Sequence, residues 1–281
     1  MKVKLLITII ILTIVSNVRS QDINSSDSKL KFQWNYKPNI EVSYGNSMIR
    51  LNGLKPSVSD AGMIELKLGF TRQIQLKKSK NIFKYENRFI FLGNASNETS
   101  VNTDNSGISS TMWRFGIGNK ETYGLKSGFL SIIPYTANSF VWSQFDYDTL
   151  NNISGVDYAT LNDFDGTFRF GKSAEAGINF QLTPGFSIAP MYEISNIYPR
   201  HLFYKQAVST IIEFSGIYLI ESFTKLIIKN TPVAGVFVNF ILKSAYEYGF
   251  YQLTKIHMNW PYTGAAPLRY NTFKIGMNFT F

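Results

Sequence analysis

"NTFKIGMNFTF", Asn271 to Phe281, sets Phe273, Ile275, Met277, Phe279 and Phe281 at every second position. Thr272, Lys274, Gly276, Asn278 and Thr280 fall between them. Successive side chains of an extended chain point to opposite faces, so this stretch reads as a strand with one apolar and one polar face. Similar text recurs upstream. In "GMIELKLGFT" Ile64, Leu66, Leu68 and Phe70 alternate with Glu65, Lys67, Gly69 and Thr71, and in "FKYENRFIF" Phe83, Tyr85, Phe89 and Phe91 alternate with Lys84, Glu86, Arg88 and Ile90. "TMWRFGIG" (111–118) and "SAEAGINFQL" (173–182) follow the same rule.

The alternating segments run about eight to eleven residues, longer than the ~5–6 of a soluble strand and close to the ~9–11 of a tilted membrane strand. They predict about ten strands, in a range of eight to fourteen, near 38–45, 62–72, 82–92, 110–118, 122–133, 138–147, 164–171, 173–182, 186–198 and 269–281. "NKET" (119–122) and "TPG" (183–185) read as tight turns, whereas 93–109 is a long Asn- and Ser-rich loop. With ten strands, the long segment 148–163 falls on the short-turn rim.

Composition agrees with a sheet in lipid or a secreted all-β protein. Charged residues are 17% of the 281 and aromatics 15%, against ~25% charged in soluble domains. There is no Cys, so neither disulfides nor thiol chemistry enter. The basic residues are scattered, which excludes a nucleic-acid footprint. Residues 1–20 read as a cleaved secretory signal peptide. Lys2 and Lys4 precede the apolar run Leu5 to Val15, and small residues Val18 and Ser20 stand before the cut. Residues 21–37 read as a tether and 38–281 as the barrel.

Residues 200–258 interrupt the strand pattern and predict a helical insertion before the last strand. Glu213, Glu221, Lys225 and Lys229 form a slowly drifting polar stripe on otherwise apolar text, with Glu221 and Lys225 spaced for an i, i+4 pair. Pro232 suits the first position of a second helix and Thr231 its N-cap. Such a hairpin could plug a lumen, lie at the membrane interface or dock on the wall. An eight-strand barrel is already filled by its own side chains, and the expectation is interfacial or wall docking. The other reading of this text is two or three more strands.

Lys274, Gly276, Phe279 and Phe281 match the C-terminal assembly signal of bacterial outer-membrane β-barrel proteins, which this chain resembles. The resemblance implies an all-β, antiparallel transmembrane barrel in the outer membrane, inserted by the barrel-assembly machinery and surrounded by lipid and lipopolysaccharide. A charge facing lipid at midplane costs ~2–4 kcal/mol. Glu65, Lys67, Lys84, Glu86, Arg88, Arg114, Arg169, Glu175 and Glu193 are therefore expected to face inward as a lumen charge network. Trp34, Trp113, Trp142 and Trp260 suit interfacial girdles. No catalytic or metal motif is present and no cofactor is expected. His201 and His257, at the two ends of the helical insertion, form a candidate rim pair.

The expected role is a structural, binding or narrow-passage barrel. The alternatives are a lipid- or lipopolysaccharide-modifying enzyme, which needs a His beside a Ser or carboxylate, and a transporter of hydrophobic compounds, which needs an apolar lumen.

Overall fold

The computed structural model describes residues 36–76, 79–100, 107–148 and 155–281. The signal peptide, nearly all of the tether, and Trp34 lie outside them. Alternating text over 12 to 18 residues builds eight strands: β1 Lys37–Leu51, β2 Ala61–Gln75, β3 Ile82–Ser96, β4 Ser110–Ser127, β5 Leu130–Tyr147, β6 Phe168–Thr183, β7 Phe186–Ile197 and β8 Leu268–Thr280. Each pairs antiparallel with its sequence neighbours, and β8 returns to β1 from Asn39↔Thr280 to Leu51↔Leu268. The sheet is a closed barrel without a free edge, the form in which every strand can satisfy its backbone groups in lipid.

The expected count of ten resolves to eight. "NKET" is not a turn: Asn119, Lys120 and Glu121 continue β4, opposite Arg88, Asn87 and Glu86 of β3. Its polar composition imitates a turn because Lys120 faces the lumen while Glu121 meets Lys84 on the outside. The chain reverses instead at Gly128, whose φ of 62° is the left-handed conformation that glycine adopts at low cost. Segments 164–171 and 173–182 likewise merge into β6. Gly171 sits inside that strand, where an added Cβ would lie 2.4 Å from the Asn196 carbonyl.

With eight strands the two rims separate. Residues 76–81, 128–129 and 184–185 make the short connections. Residues 52–60, 97–109, 148–167 and 198–267 make the long ones. Segment 148–163 therefore belongs to the long-loop rim and is no exception. It includes helix α1, Gly155–Asn162.

After β7 come α2, Phe203–Asn230, and α3, Pro232–Thr254, with residues 255–267 separating them from β8. The Thr231 hydroxyl donates back to the Ile227 carbonyl instead of capping α3. The hairpin lies on the outer wall. Its bend packs at the short-turn rim, where Ile228 and Val236 bury Ile82 and Tyr123. At the long-loop rim Asn196 of β7 donates to Thr254 and Tyr251 donates to Asn271 of β8. It therefore runs the full height of the barrel. Glu221 pairs with Lys243 of α3 at 2.7 Å, and not with Lys225.

Candidate functional site

Seen from the sheet, the even positions of β4 and β8 and the odd positions of β1, β2, β6 and β7 point inward. Six strands thereby bring charges into one connected cluster in the lumen: Glu41, Glu65 with Lys67, Arg114 with Lys120, Glu175, Glu193 and Lys274. All are buried. Lys67 Nζ lies 2.9 Å from Glu41 and 2.8 Å from Glu175. Lys120 lies 2.8 Å from Glu41. Arg114 Nη2 lies 2.6 Å from Glu193, and its Nε 3.5 Å from Glu65. Lys274 joins Glu65 at 2.9 Å, Glu175 at 3.1 Å and also Glu193. Four carboxylates meet four cations, so the cluster is neutral.

The other two strands supply aromatic rings. Phe89 of β3 lies under Lys67 at 5.2 Å, and Phe91 under Arg114 at 5.0 Å. Tyr135 of β5 donates to Glu175 at 2.9 Å and faces Lys120 at 4.3 Å. Rings face cations with their negative faces, which helps hold charge away from water. Apolar and amide layers close the two ends. Toward the long-loop rim, Ile49, Val58, Ile108, Phe145, Leu161 and Phe164 form a buried lid. Toward the short-turn rim, Asn87 donates to Asn39 at 3.0 Å, and Asn39 in turn to Asn278.

Of the charges expected to face inward, Glu65, Lys67, Arg114, Glu175 and Glu193 are buried on the inward rows of their strands. Arg169 shares the inward row of β6 but stands outside the cluster, toward the long-loop mouth. Lys84, Glu86 and Arg88 do not face inward. β3 is inverted relative to expectation: Phe83, Tyr85, Phe89 and Phe91 are buried, while Arg88, Ile90 and Leu92 are exposed. Lys84 and Glu86 instead form an outer chain near the short-turn rim. Arg72–Glu86 is 2.6 Å, Lys84–Glu86 2.7 Å and Lys84–Glu121 2.5 Å. Both faces of "RFIFL" are apolar, so period alone cannot say which turns inward. The register decides, because Ile90 stands between the outward Leu68 and Ile117.

Glu41, Lys120 and Lys274 belong to the cluster without having been expected there. Lys120 is hidden in the turn-like tetrad. Lys274, expected in the assembly signal, lies on its polar face, and that face was the available clue. Gly276, Phe279 and Phe281 of the same stretch make no polar contact with the cluster; Phe279 is outward, its ring tilted against that of Phe186 at 5.4 Å.

Carboxylate oxygens of Glu65, Glu175 and Glu193 approach within 4.8 Å of one another, a spacing that could hold a metal ion. The Lys274 ammonium already touches all three. A cavity of about 10 Å³ beside them, lined in part by Arg114, Ser139 and Ser173, has room for one water at most. The charged lumen also opposes carriage of a hydrophobic compound through it. The two imidazoles do not form a pair. His201 lies 5.7 Å from the Phe170 ring, and His257 Nδ1 contacts the backbone of Gly264. Among the described residues no hydrogen bond joins either to a serine or carboxylate, the arrangement the enzyme alternative needs.

No protein-family model matches the chain, and no curated protein matches it. Solved structures do. Neisserial surface protein A aligns with 88% of this chain and 97% of its own at 7% identity and a TM-score of 0.42. Ail, the attachment invasion locus protein of Yersinia pestis, in complex with the heparin analogue sucrose octasulfate, aligns with 88% of this chain and 99% of its own at 10% identity and a TM-score of 0.38.

Proposed function

We propose that this chain is an outer-membrane β-barrel with a structural or binding role, acting through its surface and not as a pore. The observation that carries the reading is the neutral ion cluster that fills the lumen of a barrel with an apolar exterior. Ile64, Leu66 and Leu68 of β2 and Phe273, Ile275 and Met277 of β8 are exposed on that exterior, and a patch of that extent on a soluble protein would be an aggregation hazard. On this reading residues 1–20 export the chain, the barrel-assembly machinery inserts it, and lipid and lipopolysaccharide surround it. Any ligand would meet the long-loop rim, where 52–60, 97–100, 107–109 and 155–167 gather.

Two measurements test it together. Cell fractionation should place the chain in the outer membrane, with heat-modifiable migration on a gel. In a planar bilayer the purified barrel should give no stable conductance steps. Ohmic steps from the folded protein would overturn the sealed-lumen reading, and recovery in a soluble fraction would overturn the membrane reading.

A further inference from the structure

The hairpin is amphipathic the wrong way round for a helix pair in water. Its polar residues are buried: Ser209, Glu213 and Thr224 on α2, and Asn239, Lys243 and Glu247 on α3. Its exposed residues are mainly apolar, with Tyr218 66%, Leu219 67% and Ile241 60% accessible; Ser215 is exposed in mid-helix, and Lys225, Lys229 and Asn230 toward the bend. The buried groups bond to the barrel wall or across the hairpin. Lys172 of β6 meets Glu213 at 2.6 Å, Asn138 of β5 donates to Glu247 at 2.8 Å, and Lys243 donates to the Glu121 carbonyl at 3.1 Å. Thr224 donates to Asn239 at 3.0 Å.

Charge along the outer face follows a membrane profile. Between Lys205 and Lys225 the only charged residues are Glu213 and Glu221, both turned into paired contacts. That span measures roughly 30 Å at ~1.5 Å per residue, the thickness of a hydrocarbon core of ~30 Å. The charged residues of α3 are Lys243 and Glu247, both buried. Lys225 and Lys229 lie at the short-turn end. At the other end Lys205 stands 5.8 Å from the Tyr262 ring, beside Tyr204. Lysines at both ends of an apolar span, with tyrosines at the long-loop end, are interfacial anchors. No helix of the described residues is long and apolar enough to cross a membrane. Averaged around each helix, the polar residues that face the barrel offset the apolar outer face.

We infer that the hairpin's outer face is covered by lipid acyl chains, so that two helices form part of the barrel's membrane-facing wall. The occupant is lipid because the uncharged span matches the bilayer core and continues the apolar belt of the exposed strands. The inference rests on the membrane reading above, and its test separates the two. The chain has no native Cys, so Tyr218→Cys and Ile241→Cys on the hairpin and Leu68→Cys on β2 each give one labelling site. Each variant is labelled with an environment-sensitive fluorophore and reconstituted into phosphatidylcholine vesicles with brominated acyl chains. Iodide serves as the aqueous quencher.

Bromolipid should quench both hairpin sites by the same fractional loss as Leu68→Cys, and iodide should quench none. Iodide quenching on the hairpin with bromolipid quenching at Leu68→Cys would overturn the inference and leave the membrane barrel standing. Iodide quenching at all three would overturn both. Protection of the hairpin sites from both quenchers, with disulfide-linked dimers of the Tyr218→Cys variant, would assign the face to a second copy and overturn the lipid occupant.

Discussion

Two polar seams run through this protein, one inside the barrel and one between barrel and hairpin. In the lumen every acid meets a cation: Glu41, Glu65, Glu175 and Glu193 are each shared by at least two of Lys67, Arg114, Lys120 and Lys274. At the outer seam the contacts are few and separate. Lys172–Glu213 is a single pair, Lys243 joins Glu221 of α2 to the Glu121 carbonyl of β4, and Glu247 has an amide partner and no cation within ion-pair distance. The first seam is also bound by the backbone ladders of a closed sheet, and the second is not. A network of shared charges fails as a unit, whereas isolated pairs fail one at a time. The hairpin should therefore loosen before the barrel does.

The largest effect should come from Lys274→Met. It leaves Glu65, Glu175 and Glu193 facing one another without their shared cation. Breaking a buried pair from one side costs about 3–5 kcal/mol, read as a lower urea midpoint for loss of heat-modifiable migration. An unchanged midpoint would show that the lumen charges do not hold the barrel together. Glu193→Gln should follow at about 2–3 kcal/mol by the same measurement, because glutamine keeps the shape and an acceptor but leaves Arg114 and Lys274 short of one charge.

These inner partners were partly legible in the sequence. Glu65, Lys67, Arg114, Glu175 and Glu193 alternate with apolar residues in strands of clear period two, so the face that shuns lipid is evident. Arg88 and its neighbours are not oriented by the sequence because residues 89–92 of β3 are apolar on both faces, and only the pairing of Ile90 with Leu68 and Ile117 orients the strand. Lys120 was obscured because a polar tetrad looks the same in a turn and in a lumen. The helices were legible from the absence of turn signals. Their inverted amphipathicity was not, since a polar stripe on an apolar helix does not say which side water or lipid takes. That depends on a wall which the chain builds from distant strands.

The outer seam can be tested on its own. Lys172→Met removes the partner of Glu213, in a pair with side chains 14% and 11% accessible. Between the values for exposed and buried pairs, a loss of about 1–2 kcal/mol is expected. It should appear as faster proteolysis within α2 and α3 in detergent, with the barrel's urea midpoint unchanged. If the midpoint falls as well, the hairpin and barrel unfold as one and the two seams are not independent.

The smallest effect, and the sharpest contrast, should come from Glu247→Gln. It repeats the chemistry of Glu193→Gln at the other seam. Glu247 Oε1 accepts from Asn138 Nδ2 at 2.8 Å, while Oε2 is buried without a partner. Asn196 Oδ1 is unpartnered too, and both residues line one cavity of about 30 Å³. Two acceptors at one cavity call for a donor. Glutamine keeps the bond from Asn138 and supplies an N–H₂ group. Because no cation is left unpaired, stability should change by less than about 0.5 kcal/mol, or rise slightly. Hairpin proteolysis and the urea midpoint should both match the unmodified chain. A loss as large as that of Glu193→Gln would mean that the outer seam depends on its charges as the lumen does. The hairpin would then be a fixed part of the barrel and not a docked one.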